Sequence, residues 1–157
     1  MVVLVNNFNY GMTGGQLAPT TPPEAKTITT PYGNIEEPFN LPALMVEAGA
    51  NYVARWTIIH VLQLEKSFEK ALEMEGFRFI EVLSPCTTRY VRMNLMSIEE
   101  LLEHFKKNTI NVKVASEEDI RSGKILVGEF IYRGREGYLS RYSKIKENAL
   151  KIWRSKT

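Results

Sequence analysis

The chain opens on Val2-Val3-Leu4-Val5 and passes directly into Asn6-Asn7-Phe8-Asn9-Tyr10-Gly11-Met12-Thr13-Gly14-Gly15-Gln16. An unbroken apolar run of this length predicts a strand buried on both faces, the form typical of parallel sheets. Amide side chains and three glycines, Gly11, Gly14 and Gly15, then stand where that strand ends. In open α/β sheets ligands bind in the crevice outside the carboxyl ends of the strands. Asn offers a neutral oxygen to a hard cation, and glycines let the backbone come close to phosphate oxygens. Asn and Gly are also the ordinary residues of a polar turn, so the bend alone leaves both readings open.

The continuation separates them. Gln16 leads into Ala18-Pro19-Thr20-Thr21-Pro22, then Thr29-Thr30-Pro31-Tyr32-Gly33-Asn34, and later Ser84-Pro85-Cys86. This ordered set resembles the β subunit of the 2-oxoacid:ferredoxin oxidoreductases, thiamine-diphosphate enzymes that also carry an iron–sulfur cluster. The resemblance is motif-specific from Val2 to about Arg92 and thins to general character beyond. It implies a partial thiamine-diphosphate-binding α/β fold, a mainly parallel sheet flanked by helices, with residues 1–157 as a single domain.

What the resemblance implies for individual residues is specific. A magnesium ion would take the side-chain oxygen of Asn7 and the backbone carbonyl of Asn9, together with two oxygens of the cofactor's diphosphate. Asn6 and the backbone of Gly11, Gly14 and Gly15 would line the diphosphate, with hydrogen bonds from Thr13 and Gln16. Magnesium favours near-octahedral oxygen ligands shared with phosphates, which suits this donor set. In the family an upstream Gly-Asp-Gly element completes the metal shell, and no Gly-Asp-Gly occurs in this sequence. The expectation is the C-terminal half of a β subunit, from a split gene or a truncated frame, with half of the cofactor site.

Cys86 is the sole cysteine and alone makes neither a disulfide nor a metal site. On its own it is as well explained by a small buried thiol after a strand. By resemblance, Ser84-Pro85-Cys86 is the turn that gives the iron–sulfur cluster its fourth thiolate, the other three lying on a segment outside this chain. The implied reaction is the coenzyme A-dependent oxidative decarboxylation of a 2-oxoacid with electrons passed to ferredoxin. The Asn-Tyr-Gly-Met-Thr-Gly-Gly-Gln stretch is closer to the 2-oxoglutarate and branched-chain types than to the pyruvate type, 2-oxoglutarate first. Partners would be an α subunit, the N-terminal half of β and ferredoxin. The alternatives are a non-catalytic relic or assembly module with an incomplete cofactor site, and a different thiamine-diphosphate decarboxylase or synthase. The Thr-Gly-Gly-Gln and Ser-Pro-Cys pair argues against the last.

Composition narrows the classes further. With 157 residues and 44% hydrophobic content, the chain suits one globular domain. No apolar run approaches the roughly 18 residues of a membrane span, no signal segment opens the chain, and a cytoplasmic setting is the default. A net charge of +2 argues against a dedicated nucleic-acid binder. From Arg121 to Thr157, however, ten Lys or Arg stand against three Glu. That excess is either a solvated helical face or a docking surface for an acidic partner such as ferredoxin or another subunit.

Periodicity places the remaining elements. Leu17 to Asn40 holds five of the seven prolines and is expected to be a functional loop over the cofactor. A short helix over Leu41 to Ala48 ends at Gly49. Tyr52 to Trp56 is a strand, with Arg55 either a surface charge or a subunit contact. Leu62 to Glu75 is a helix burying Leu64, Phe68, Ala71 and Leu72, and Phe79 to Leu83 a strand. Ser97 with Glu100 forms a capping box before a helix burying Ile98, Leu101, Leu102 and Phe105. Ser116 and Asp119 start a shorter helix, Ile125 to Tyr132 is a strand, and Tyr138 to Arg154 a helix burying Tyr142, Ile145, Ala149 and Ile152. His60 and His104 lack partners at catalytic spacing. Exposed edges on the first strand would invite self-association.

Overall fold

The structure is a computed structural model that describes residues 1–155. It is a mixed α/β fold around a five-stranded sheet ordered β1-β3-β2-β5-β4. Strand β1 (Val2–Asn6) pairs parallel with β3 (Arg78–Leu83), and β3 pairs parallel with β2 (Tyr52–Thr57). Strand β5 (Ile125–Tyr132) runs antiparallel to β2 and parallel to β4 (Thr109–Asn111). The helices α1 (Leu41–Glu47) and α2 (Val61–Glu73) supply the crossovers that parallel strands require. Helices α3 (Ile98–Asn108), α4 (Glu117–Arg121) and α5 (Tyr138–Arg154) complete the chain. Among the described residues no helix is long and apolar enough to cross a membrane.

The expected helices and strands all form. Asn40 caps α1 and Pro42 sits in its first turn, where a missing N–H costs nothing. Ser97 and Ser116 each complete a capping box, with Glu100 and Asp119. The very short β4 and a π-helical turn at Thr87–Val91 were beyond the reach of periodicity.

Five packing expectations fail. Strand β1 is not buried on both faces: it forms the sheet's edge, and Val2, Val3 and Val5 are 45, 40 and 63% exposed. Of its apolar residues only Leu4 packs inward, beside Val53, Phe79 and α1. Arg55 is not a surface charge, because the fully buried Glu81 across the ladder holds it at 2.6 Å and leaves its side chain only 14% exposed. On α2, Leu64, Phe68 and Ala71 face the core, but Leu72 is exposed and Ser67 is buried in its stead. Ser67 Oγ accepts from Trp56 Nε1 at 2.7 Å, satisfying a donor that burial would otherwise orphan, and lies 3.0 Å from the Tyr52 hydroxyl, which also reaches Glu129 Oε1 at 3.0 Å. Finally, Ile98 at the start of α3 is exposed, and α5 buries none of Tyr142, Ile145, Ala149 or Ile152, since the α2–β3 connection holds only its first turn among the described residues.

Candidate functional site

Parallel pairing of β1 and β3 carries two distant segments to one place. Asn6 stands opposite Leu83, and the ladder continues past both strand ends. Ser84 donates its N–H to the Asn6 carbonyl at 2.9 Å, and Cys86 donates to the Asn7 carbonyl at 3.0 Å. Asn7 and Cys86 therefore lie side by side at the carboxyl end of the sheet. At Phe8 the backbone enters the left-handed region, with φ of +64°, a conformation that a bulky side chain rarely accepts. The turn is fixed by the Phe8 N–H donating to Asn6 Oδ1 at 3.1 Å and by the buried Phe8 ring, edge-on to Tyr90 at 5.2 Å.

That reversal brings Asn9 back toward Asn7. Gly11 marks the point where they meet. A Cβ there would lie 3.0 Å from Cys86 Sγ, 3.4 Å from Asn7 Nδ2 and 3.7 Å from Asn9 Oδ1. The thiol and both amides are thus gathered around a residue that must be small. The Asn9 side chain is 1% exposed, yet neither Oδ1 nor Nδ2 has a hydrogen-bond partner. Leaving a buried polar group unpaired costs about 1–3 kcal/mol, so native proteins rarely do it without a use for the group. The Asn9 carbonyl, in contrast, already accepts the Gly11 N–H at 3.0 Å.

The bend closes on itself. Tyr10 donates to the Gln16 carbonyl and Gly15 donates to the Tyr10 carbonyl, both at 3.0 Å. The Thr13 hydroxyl lies 2.7 Å from Gln16 Oε1, so these two side chains engage each other at the surface. Gly14 and Gly15 adopt φ of +111° and +101°, and a side chain on Gly15 would press within 3.2 Å of Arg89 Cβ. The 17–40 loop is fastened over this bend by threonines. Thr29 Oγ1 accepts from Leu17 N–H, Thr20 donates to Asn6 Oδ1, and Thr21 donates to the Phe8 carbonyl at 2.7 Å. Asn94 clamps the loop's far side through both Lys26 backbone groups.

Beneath the bend lies a buried polar chain that sequence reasoning missed. Arg55 pairs with Glu81 Oε2, Glu81 Oε1 accepts from Asn6 Nδ2 at 2.8 Å, and Asn6 Oδ1 accepts from Phe8 and Thr20. The Asn6 amide is therefore spent inward. The available signal was an acid inside the apolar strand Phe79-Ile80-Glu81-Val82-Leu83, with a basic residue inside its neighbour.

Cys86 stands at the start of the π-helical turn. Burial pushes its thiol up, but the Thr88 hydroxyl and the N–H groups of Arg89, Tyr90 and Thr88 outweigh that and leave it below the ordinary thiol range. Thiolates so stabilised are the better nucleophiles and metal ligands. His60 lies at the same sheet end, where Thr57 Oγ1 approaches its Nδ1 at 2.8 Å and burial lowers its pKa. His104 is exposed on α3, bonded to Asn108 and edge-on to Phe105. Among the described residues, no group of three or more His, Cys, Asp or Glu gathers as a metal site.

With this geometry in place, comparison with known proteins is specific. Residues 1–82 match the family model described as thiamine pyrophosphate enzyme, C-terminal TPP binding domain. The 2-oxoglutarate synthase subunit KorB of Methanothermobacter marburgensis is 44% identical over 155 residues, 96% of this chain and 54% of that protein. KorB of Methanocaldococcus jannaschii is 46% identical over 134 residues, covering 83% of this chain and 49% of its own. The solved 2-oxoglutarate:ferredoxin oxidoreductase from Magnetococcus marinus, with 2-oxoglutarate, coenzyme A and succinyl-CoA bound, superposes with a TM-score of 0.75. It shares 27% identity over 94% of this chain and 52% of that one. The chain thus spans about half the length of the curated relatives it matches. By its family match over residues 1–82, the chain belongs to the thiamine pyrophosphate enzymes with their C-terminal TPP-binding domain, in a form similar to subunits of 2-oxoacid:ferredoxin oxidoreductases.

Proposed function

We propose that this chain supplies the diphosphate-side cradle of a 2-oxoacid:ferredoxin oxidoreductase that acts on 2-oxoglutarate, with branched-chain 2-oxoacids as the next candidate. The observation that carries the reading is the buried, unpartnered Asn9 amide beside Asn7 and Gly11. Side-chain oxygens of Asn7 and Asn9 suit a magnesium ion that neutralises a diphosphate, in place of the Asn9 carbonyl that the resemblance implies and that the Gly11 N–H already engages. The tight Gly11 position and the left-handed Gly14 and Gly15 let the backbone approach phosphate oxygens closely. Thiamine diphosphate, when bound, supplies the carbon nucleophile and electron sink that decarboxylation of a 2-oxoacid demands.

The chain's own residues do the positioning. Glu81 and Arg55 hold the Asn6 amide, Asn6 holds the Phe8 turn, and that turn aims Asn7 and Asn9 at one point. The 17–40 loop, tied down by Thr20, Thr21 and Thr29, shields this point from water. Cys86, with its lowered thiol, is suited to ligate an iron–sulfur cluster whose other thiolates come from beyond the described residues. The remaining subunits and ferredoxin complete the enzyme, and coenzyme A accepts the acyl group.

Reconstitution with the other subunits tests the reading. Coenzyme A-dependent reduction of ferredoxin should be fastest with 2-oxoglutarate among the 2-oxoacids supplied. A reconstituted complex that binds thiamine diphosphate and magnesium equally well with Asn9→Ala would refute the assignment of this cradle.

A further inference from the structure

Helix α5 is 17 residues long, about 25 Å at 1.5 Å per residue, and buries none of them. Its first turn is fastened to the body by Glu75, which accepts the Gly137 N–H at 2.7 Å and the Ser140 hydroxyl at 2.6 Å. Between that turn and the α2–β3 connection runs a groove of about 800 Å³. Met74 and Phe77 wall one side, and Tyr138, Leu139, Tyr142 and Ile145 the other. Tyr138 and Tyr142 stack at 5.9 Å, giving that wall a rigid aromatic face. The groove lies at the amino end of β2 and β3, across the sheet from the candidate cofactor site, and its argument is independent of that site.

We infer that this groove and the apolar stripe of α5 receive an acidic amphipathic helix from another protein subunit. A contiguous apolar patch rimmed by charge marks a protein-binding surface, and helix-in-groove docking suits its shape. The charge selects the occupant. Helix α5 carries Arg141, Lys144, Lys146, Lys151 and Arg154 against the single acid Glu147. On the groove's rim Lys144 is paired with Glu136, while Arg135 and Arg141 have no acidic partner among the described residues. A second copy of this chain would oppose one basic helix to another, which costs affinity. A lipid surface would meet the exposed helix but cannot fill a concavity closed behind it by Met74 and Phe77.

The test uses the full chain and a synthetic amphipathic helix of Leu and Glu as probe, followed by fluorescence anisotropy. Binding is expected, weakening on the order of tenfold when salt rises from about 0.05 M to about 0.5 M, because rim charges are screened over that range. Ile145→Asp, at an exposed position that leaves the fold intact, should weaken it by about tenfold or more, as loss of a central apolar anchor does. Hydrogen exchange should slow in residues 74–78 and 138–145 and nowhere near Gly11. The inference is overturned if a Leu and Lys helix binds as well, or if Ile145→Asp leaves binding unchanged. It is equally overturned if Ile145→Asp dissolves a dimer of the chain itself, or if anionic phosphatidylserine vesicles bind α5 and the Leu and Glu helix does not.

Discussion

The two ends of the sheet use polar and apolar groups in opposite ways. At the carboxyl end, Asn6, Glu81, Arg55, Thr20 and Thr21 are tied into a buried network that leaves one amide, Asn9, unused. At the amino end, α5 has a helix's usual apolar stripe but spends none of it. One region is closed around a single unpartnered amide. The other is open along a whole helix face. The difference teaches that an unfilled need is local and chemical in the first case, and extended and hydrophobic in the second.

Substitutions can break or sharpen that contrast. The largest effect should come from Glu81→Ala, which strands the buried Arg55 cation and the Asn6 amide. Breaking a buried pair from one side costs about 3–5 kcal/mol, measurable by urea unfolding. A small loss would mean that the network beneath the bend is not what holds it.

Asn9→Ala should separate stability from activity. The unfolding free energy should not fall and should rise by about 1–3 kcal/mol, because the substitution removes a buried amide that makes no hydrogen bond. Activity of the reconstituted complex should drop on the order of 100-fold, as expected when a group that orders a metal site is removed. Equal losses in both would make Asn9 a structural residue and erase the distinction between the two sheet ends.

Cys86 gives a smaller signal at the same site. Its lowered thiol should alkylate with a midpoint pH below that of a free cysteine peptide, near 8.5. Because the folded thiol ionises more readily than the unfolded one, the stability it contributes is present above the unfolded pKa. It fades as pH falls through the folded value. A rate profile centred on the ordinary thiol value would show that the Thr88 to Tyr90 donors do not reach the sulfur.

At the other end, hydrogen bonds from Ser140 and Gly137 hold the Glu75 carboxyl below the usual carboxylate range. Its hold on α5 is therefore complete above the unfolded Glu pKa and lost as pH falls through the lower folded value. Acid titration should fray α5 first, visible as partial loss of far-UV helical signal while hydrogen-exchange protection of β2 and β3 keeps its native value. Smallest of all, Ile145→Asp should change the stability of the isolated chain by no more than about 0.5 kcal/mol. A larger loss would place α5 in the core after all.

Much of this was legible from residues. The Ser97 and Ser116 capping boxes, Pro42 near a helix start and the apolar run of β5 act through neighbours within a few positions, so their elements could be drawn directly. The Asn6 to Gln16 bend and Ser84-Pro85-Cys86 could be named as site segments because each is a compact motif. The Glu81–Arg55 pair could not, because it depends on which strand lies beside which. Nor could the Asn9 side chain, whose isolation follows from the Phe8 reversal and the closure of the surrounding loop.

The order of residues alone decided the local conformations: where helices begin, which runs extend, and where a glycine is needed, for close approach at Gly11 and Gly15 and for left-handed backbone at Gly14 and Gly15. Tertiary structure decided exposure and meeting. An apolar pattern states that a face can be buried, but burial needs a second surface, and neither β1 nor α5 has one along its full face. Likewise only the parallel register of β1 on β3 sets Asn7 beside Cys86, because a ladder of backbone hydrogen bonds fixes distances that sequence separation does not.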